Sequence, residues 1–212
     1  MLSSFPHLSD SEFNGACQHL LDRFHLHSHQ QETWLSVDLL HQSETTYLRI
    51  TTALLSPQTT HIEANNLTSH DELEDDADEE TLTPTAPPDP TIHNSIILSP
   101  TYRVPVLYIH ISDSQHRYPP TMINLYSYII PPQFKVQTEH VGVMGGITVT
   151  DHPVTNSPVF FIHPCRTAEV MQAIVGEREV SAGEYLMLWI GALGKCVGLN
   201  VPLALMRENE TK

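Results

Sequence analysis

Residues Asp71 to Glu80 (DELEDDADEE) set eight carboxylates in a row of ten positions, and Thr81 to Pro90 (TLTPTAPPDP) follows with four prolines. Such a stretch buries too little apolar surface to offset the entropy lost on ordering it. No Lys or Arg stands between Arg49 and Arg103 to neutralise it. A fold must therefore be assembled from the sequence on either side. Residues 57–91 read as a disordered acidic and Pro-rich insertion within one domain spanning 1–212. The ordinary reading of such a run is a solvated loop without a role; an acidic contact surface for a basic partner is the alternative.

The run carries more than half of the net charge of −15, which results from 10 Lys and Arg against 25 Asp and Glu. Nucleic-acid binding is driven by phosphate neutralisation, so this balance argues against it. It argues equally against adsorption to anionic membranes. No apolar run approaches the ~18 residues that a spanning helix needs, so stable membrane insertion is not expected. Met1 to Asp10 lacks the basic and apolar regions of a secretory signal. Three cysteines, Cys17, Cys165 and Cys196, do not make a disulfide framework. These features together lead us to expect a cytoplasmic protein with reduced thiols.

Hydrophobic spacing orders the rest. Ser9-Asp10-Ser11-Glu12 is a capping box, and Phe13, Ala16, Cys17, Leu20, Leu21 and Phe24 recur at helical spacing behind it. That helix should fade around His25 to His29. Trp34 to Leu40 and Thr45 to Leu54 are rich in β-branched and aromatic residues and read as a hairpin. Asn94 to Leu98 and Tyr102 to Ile111 read as strands, with Pro105 at an edge or bulge. Thr121 to Ile130 fits either state. Gly142 to Thr150 and Val159 to Ile162 are short and β-like, joined by a Pro-containing turn. Thr167 to Val175, stopped by Gly176, and Gly183 to Leu193 read as helices. A helix, several strands and then two helices make an α+β domain, a mainly antiparallel sheet backed by segregated helices.

Cys165 stands apart from the other thiols. It lies between the strand ending at Ile162 and the helix opening at Thr167, after His163-Pro164. A thiol at such a junction lies near the positive end of a helix dipole, which favours thiolate. The alternative is a small apolar residue at a helix start. Cys17 falls on the apolar face of the first helix and Cys196 in a glycine-rich turn, and both read as core. No cysteine-protease signature surrounds Cys165. His25-x-His27-x-His29 with His41 lacks the CxxC or HExxH context of a metal site, and Gly142-Val143-Met144-Gly145-Gly146 lacks the pattern of a phosphate loop.

His163-Pro164-Cys165-Arg166-Thr167-Ala168-Glu169-Val170-Met171 resembles the HPC motif of the autophagy E2-like conjugating enzymes. Two sister families share that motif: one conjugates a ubiquitin-like modifier to a lipid, the other joins autophagy-related protein twelve to a lysine of autophagy-related protein five. Three more stretches are similar to the second, the autophagy-related protein ten family. They are Tyr102-Arg103-Val104-Pro105-Val106-Leu107-Tyr108, the approach from Asp151-His152-Pro153 to Pro158-Val159-Phe160-Phe161, and the C-terminal run from Tyr185-Leu186 through Trp189, Gly191, Gly194 and Val197-Gly198-Leu199 to Val201-Pro202. The resemblance covers about residues 100–205 well, and the N-terminal hundred only by element order. The acidic insertion is not part of it.

The resemblance implies an E2-like (ubiquitin-conjugating-like) fold: an N-terminal helix, a curved antiparallel sheet flanked by helices, and the cysteine on a loop entering a helix. It implies that Cys165 accepts the modifier as a glycyl thioester from an E1-like activating enzyme of autophagy. A target lysine then takes the acyl group as an isopeptide bond. The HPN asparagine of ordinary ubiquitin-conjugating enzymes is absent, so His163 is the stand-in expected to assist the oxyanion or the amine; a structural turn histidine is its alternative. Tyr108 is expected to border the site, or else to be a core or edge aromatic. Thr167 reads as a helix cap. Arg166 reads as a contact for an acidic partner or as a solvated cation. No cofactor or metal is required. Transient presence at the forming autophagosome membrane is the implied departure from the cytoplasm. The lipid-conjugating sister activity and a non-catalytic E2-like adaptor are the rivals.

Overall fold

A computed structural model describes residues 2–42, 44–54, 87–135 and 146–207. The capping box forms as the sequence requires: Ser9 accepts the Glu12 amide and Glu12 reaches back to the Ser9 amide, opening α1 (Asp10–His27). Its buried stripe is Phe13, Ala16, Cys17, Leu20 and Phe24. A short 3₁₀ turn at Ser28–Gln30 ends it where the histidines begin to alternate.

Six strands follow in one antiparallel sheet: β1 (Trp34–Gln42), β2 (Thr45–Ala53), β3 (Thr91–Leu98), β4 (Pro105–Ser112), β5 (Ile147–Asp151) and β6 (Pro158–Ile162). Their spatial order is β1-β2-β3-β4-β6-β5. The expected hairpin is β1–β2. Residues 55–86 of the expected insertion lie outside the described residues. Its expected end at residue 91 is corrected, because Thr91 already pairs with Ala53 and Ser112 inside the sheet. The Leu54 amide donates to Pro90 O at 3.1 Å, so the chain leaves and re-enters the sheet at neighbouring points.

Two strand expectations are also corrected. The strand expected from Tyr102 begins at Pro105, because Arg103 has a positive φ of 52° and turns the chain there. Pro105 is at neither an edge nor a bulge; it opens an interior strand opposite Leu98, and a first position spares the missing N–H. Thr121 to Ile130 is helical: one turn at Met122–Asn124, capped by Thr121, runs into a π-turn at Leu125–Ile129. The strand expected from Gly142 starts at Ile147, and residues 142–145 lie outside the described residues.

Two longer helices follow, α2 (Thr167–Val175) and α3 (Ala182–Leu193), and a 3₁₀ turn at Gly194–Val197 and a single helical turn at Leu203–Met206 end the described residues. α1 and α3 cover one face of the sheet. Their buried residues Leu20, Tyr185, Leu186, Trp189 and Ile190 meet Leu48, Ile50, Ile96, Leu107, Ile109 and Phe160 in the main core. At Gly183 the two helices come so close that a Cβ would sit 2.4 Å from the His19 ring. The opposite face carries a smaller cluster of Tyr47, Ile97 and Val154, with Leu40 and Tyr108 against it. The α+β class is the expected one: an antiparallel sheet with flanking helices. No helix among the described residues is long and apolar enough to cross a membrane.

Candidate active site

β6 alternates as a two-faced strand: Phe160 and Ile162 enter the core, while Phe161 packs across the opposite face against Tyr108. Its continuation delivers His163, and Pro164 then opens a single 3₁₀ turn, Pro164–Arg166, with Cys165 at its centre. Pro164 suits the first helical position because its fixed φ matches and its missing N–H would be unpaired there. The turn runs directly into α2. The Thr167 amide donates to Pro164 O, so Cys165 is held in place by backbone on both sides. Its side chain is exposed.

His163 supplies the hydrogen bond that shapes this turn. Its Nδ1 accepts the Cys165 backbone N–H at 3.2 Å. An accepting ring nitrogen carries no proton, so in the neutral ring the proton resides on Nε2. The ring is gripped edge-to-face on two sides, by Tyr102 at 5.6 Å and Phe161 at 5.8 Å between centroids. The His163 amide adds a long bond, 3.4 Å, to Gly146 O at the foot of β5. The structure thus brings His163 and Cys165 together. It also corrects the role expected of Thr167. That residue is buried as the first residue of α2, and the side-chain cap of the turn is His163. Arg166 is exposed and lies 3.7 Å from Glu169, one helical turn on.

Tyr108 is one ring removed from His163. It faces Phe161 directly across the β4–β6 pair, with ring centroids 5.2 Å apart, and Phe161 stands between it and His163. Burial raises its phenol above the usual range. Tyr102, in the turn before β4, makes the closer contact with His163, whereas by sequence it reads only as part of a strand. Its anchor lies in that turn: the Tyr102 amide bonds Ser99 Oγ, and Arg103 pairs with Asp10 at 2.9 Å. No periodicity signals such a contact, since it depends on Arg103 leaving the extended conformation.

The other two thiols are enclosed. Burial pushes Cys17 up to about 12 and Cys196 up to about 11, and Cys196 donates to Leu193 O at 2.9 Å. Among the described residues, no cluster of three or more His, Cys, Asp or Glu side chains is arranged to hold a metal. One exposed thiol on a rigid turn, beside an imidazole with a proton on its outer nitrogen, suits acyl transfer through a thioester.

The family model described as "Autophagocytosis associated protein, active-site domain" matches residues 12–204 of this chain. The chain belongs to this family. Curated proteins resemble it over roughly half its length. The "Ubiquitin-like-conjugating enzyme ATG10" of Gibberella zeae is 34% identical over 112 residues, 52% of this chain and 46% of that protein. The human protein of the same name is 31% identical over 111 residues, 51% of this chain and 49% of that one. The chain spans about half the length of the curated relatives it matches. A solved structure titled "Crystal structure of Autophagic E2, Atg10" aligns over 92% of this chain and 99% of its own, with a TM-score of 0.48 and 16% identity.

Proposed function

We propose that this protein is an E2-like conjugating enzyme of autophagy that carries a ubiquitin-like modifier on Cys165. The observation that carries the reading is the exposed Cys165 on the turn that His163 Nδ1 holds. Family membership and the names of the curated relatives support it.

The reaction is two acyl transfers. The Cys165 thiolate attacks the thioester carbonyl of the modifier's C-terminal glycine on the E1-like enzyme. The carbon–sulfur bond to Cys165 forms, and the E1 thiol leaves. A lysine amine of the target then attacks the new thioester, the isopeptide bond forms, and the Cys165 thiolate is released as the amine sheds a proton. The first step exchanges one thioester for another and is close to thermoneutral, so a positioned thiol suffices. The second builds a tetrahedral oxyanion, which needs a donor. His163 is that donor in our reading, because its Nδ1 is committed to the turn and its proton sits on Nε2. Tyr102 and Phe161 keep the ring from rotating away. Tyr108 supports Phe161 and is a positioning residue at most.

In this proposal the modifier is autophagy-related protein twelve and the acceptor a lysine of autophagy-related protein five, as the resemblance of the HPC motif implies, with the site of action in the cytoplasm. The test is a non-reducing gel with activating enzyme, ATP and modifier. The wild type should gain one modifier in a band that thiol reductant removes. Cys165→Ala should show none, and Cys165→Ser should give a reductant-resistant ester. Adding the target should discharge the wild-type band into a reductant-stable conjugate. A wild type that stays unloaded beside a charged activating enzyme refutes the reading.

A further inference from the structure

The β5–β6 hairpin that delivers Cys165 joins the rest of the sheet through a short seam. β4 and β6 pair only at Tyr108 with Phe161 and at Ile109 with Phe160. β5 is the outermost strand and is mostly exposed. So short a seam fixes the angle of the hairpin poorly by itself, because each added pair contributes little. A second attachment is visible at the far end of the hairpin, in the turn between β5 and β6.

That turn is built on His152. Its backbone amide donates to Ser157 O at 2.8 Å and its carbonyl accepts the Asn156 amide at 2.9 Å. Its Nδ1 accepts two more backbone amides, Val154 at 3.2 Å and Thr155 at 3.3 Å. The side chain is only 5% exposed and lies edge-on between Tyr47 of β2, at 5.7 Å, and Tyr108 of β4, at 5.5 Å. Val154 enters the small apolar cluster beside it with Tyr47 and Ile97. The turn is therefore pinned across β2, β3 and β4, well beyond the seam.

We propose that His152 is a positioning residue for the reaction at Cys165: its ring, as a neutral acceptor, clasps the β5–β6 turn onto the sheet and so sets where β6 presents the cysteine. This rests on the reading of Cys165 as the carrier thiol. Both amide bonds need the Nδ1 lone pair, and a proton there removes both at once. The groups facing His152 are the rings of Tyr47 and Tyr108 and, from β4, the imidazole of His110; on its own turn the Thr155 and Ser157 hydroxyls bond each other, and Asp151 precedes it in the chain. Among the described residues, none of these opposing groups is a carboxylate that would stabilise a charged ring. Burial, with His110 adding to it, holds the His152 imidazole below its ordinary range. The clasp is closed at neutral pH and opens in acid.

The test compares the full-length wild type with His152→Phe and His152→Asn. Phe fills the space but accepts nothing; the Asn amide oxygen accepts from the following amides as in an Asx turn and takes no proton. Circular dichroism confirms that each is folded. With saturating activating enzyme, His152→Phe should load Cys165 about tenfold more slowly, with KM unchanged, as expected for a misplaced reacting group. Its amides at Val159 to Ile162 should exchange with solvent about tenfold faster, for the loss of roughly one net hydrogen bond. His152→Asn should restore both at pH 7.5, and its rate relative to wild type should rise as pH is taken below the ordinary imidazole value of about 6.5, because the His152 ring takes its proton only beneath that value. Wild-type rates and exchange in His152→Phe, or a His152→Asn ratio that does not change with pH, overturn the clasp. A wild type that never loads beside a charged activating enzyme overturns the carrier reading instead, and the positioning role with it.

Discussion

Two His-Pro pairs bracket β6, and they use the same device. At His152-Pro153 and at His163-Pro164 the imidazole Nδ1 accepts the backbone N–H two residues on, over the proline. This is the imidazole counterpart of an Asx turn. It explains why His163 cannot be free to act through either nitrogen: one is spent on shape, which leaves the other for chemistry. Replacing His163 with Ala removes both. We expect conjugate formation to fall by about a hundredfold to a thousandfold, the range of a lost oxyanion donor, measured as single-turnover discharge to the target. Thermal stability should drop by only about 1 kcal/mol, the worth of a cap. The thiols are equally distinct. Native protein treated with iodoacetamide at pH 8 should gain one adduct, on Cys165, in the intact mass. Cys17 and Cys196, buried and raised to about 12 and about 11, should react only after unfolding.

Among elements, sequence legibility tracked how local the cause was. The capping box at Ser9 and Glu12, the stop at Gly176 and the β-branched, aromatic-rich hairpin of β1 and β2 depend on neighbours within a few residues, and all are legible. A second capping box, Ser181 with Glu184, is equally local and starts α3 at Ala182, one residue before the expected Gly183. Other features depend on distant partners. Pro105 reads as an edge residue until the turn at Arg103 makes it the first of its strand. Cys165 and His163 were legible by motif, whereas Tyr102 beside them was not, because a tertiary turn brings it there. Gly183 is another such case. On propensity alone Ala would be the better helix former. Yet its Cβ would meet His19 at 2.4 Å, so we expect Gly183→Ala to cost about 1–3 kcal/mol by chemical denaturation, as overpacking does. Adding His19→Ala should recover part of that loss.

Over the whole molecule, the sheet face opposite α1 and α3 stores a dependence on acidity. His93 and His110 lie directly opposite each other on β3 and β4, and burial holds both imidazoles, like that of His152, below the usual range. A depressed folded value means that the unfolded chain binds more protons in the window between the two. Stability from these groups is complete above the ordinary imidazole value of about 6.5 and is lost as pH falls below it. The capping carboxylates act later: Glu12, held at about 2 by its bonds to Ser9, gives up its contribution only below the ordinary carboxylate range. Melting temperature should therefore be flat from pH 8 to 7, decline from about 6.5 through 5, and fall again in stronger acid. The sheet also has two functional ends. Beyond Ile162 the chain runs toward the Pro105 end of β4, because Phe161 lies opposite Tyr108 in an antiparallel pair. The Leu54-to-Pro90 gateway opens beside Thr91 and Ser112, at the other end of the same eight-residue strand, about 25 Å of extended backbone away. Whatever evolution or a protein engineer splices between those two residues, in length or in cargo, is thus sewn into the sheet at the end away from the cysteine.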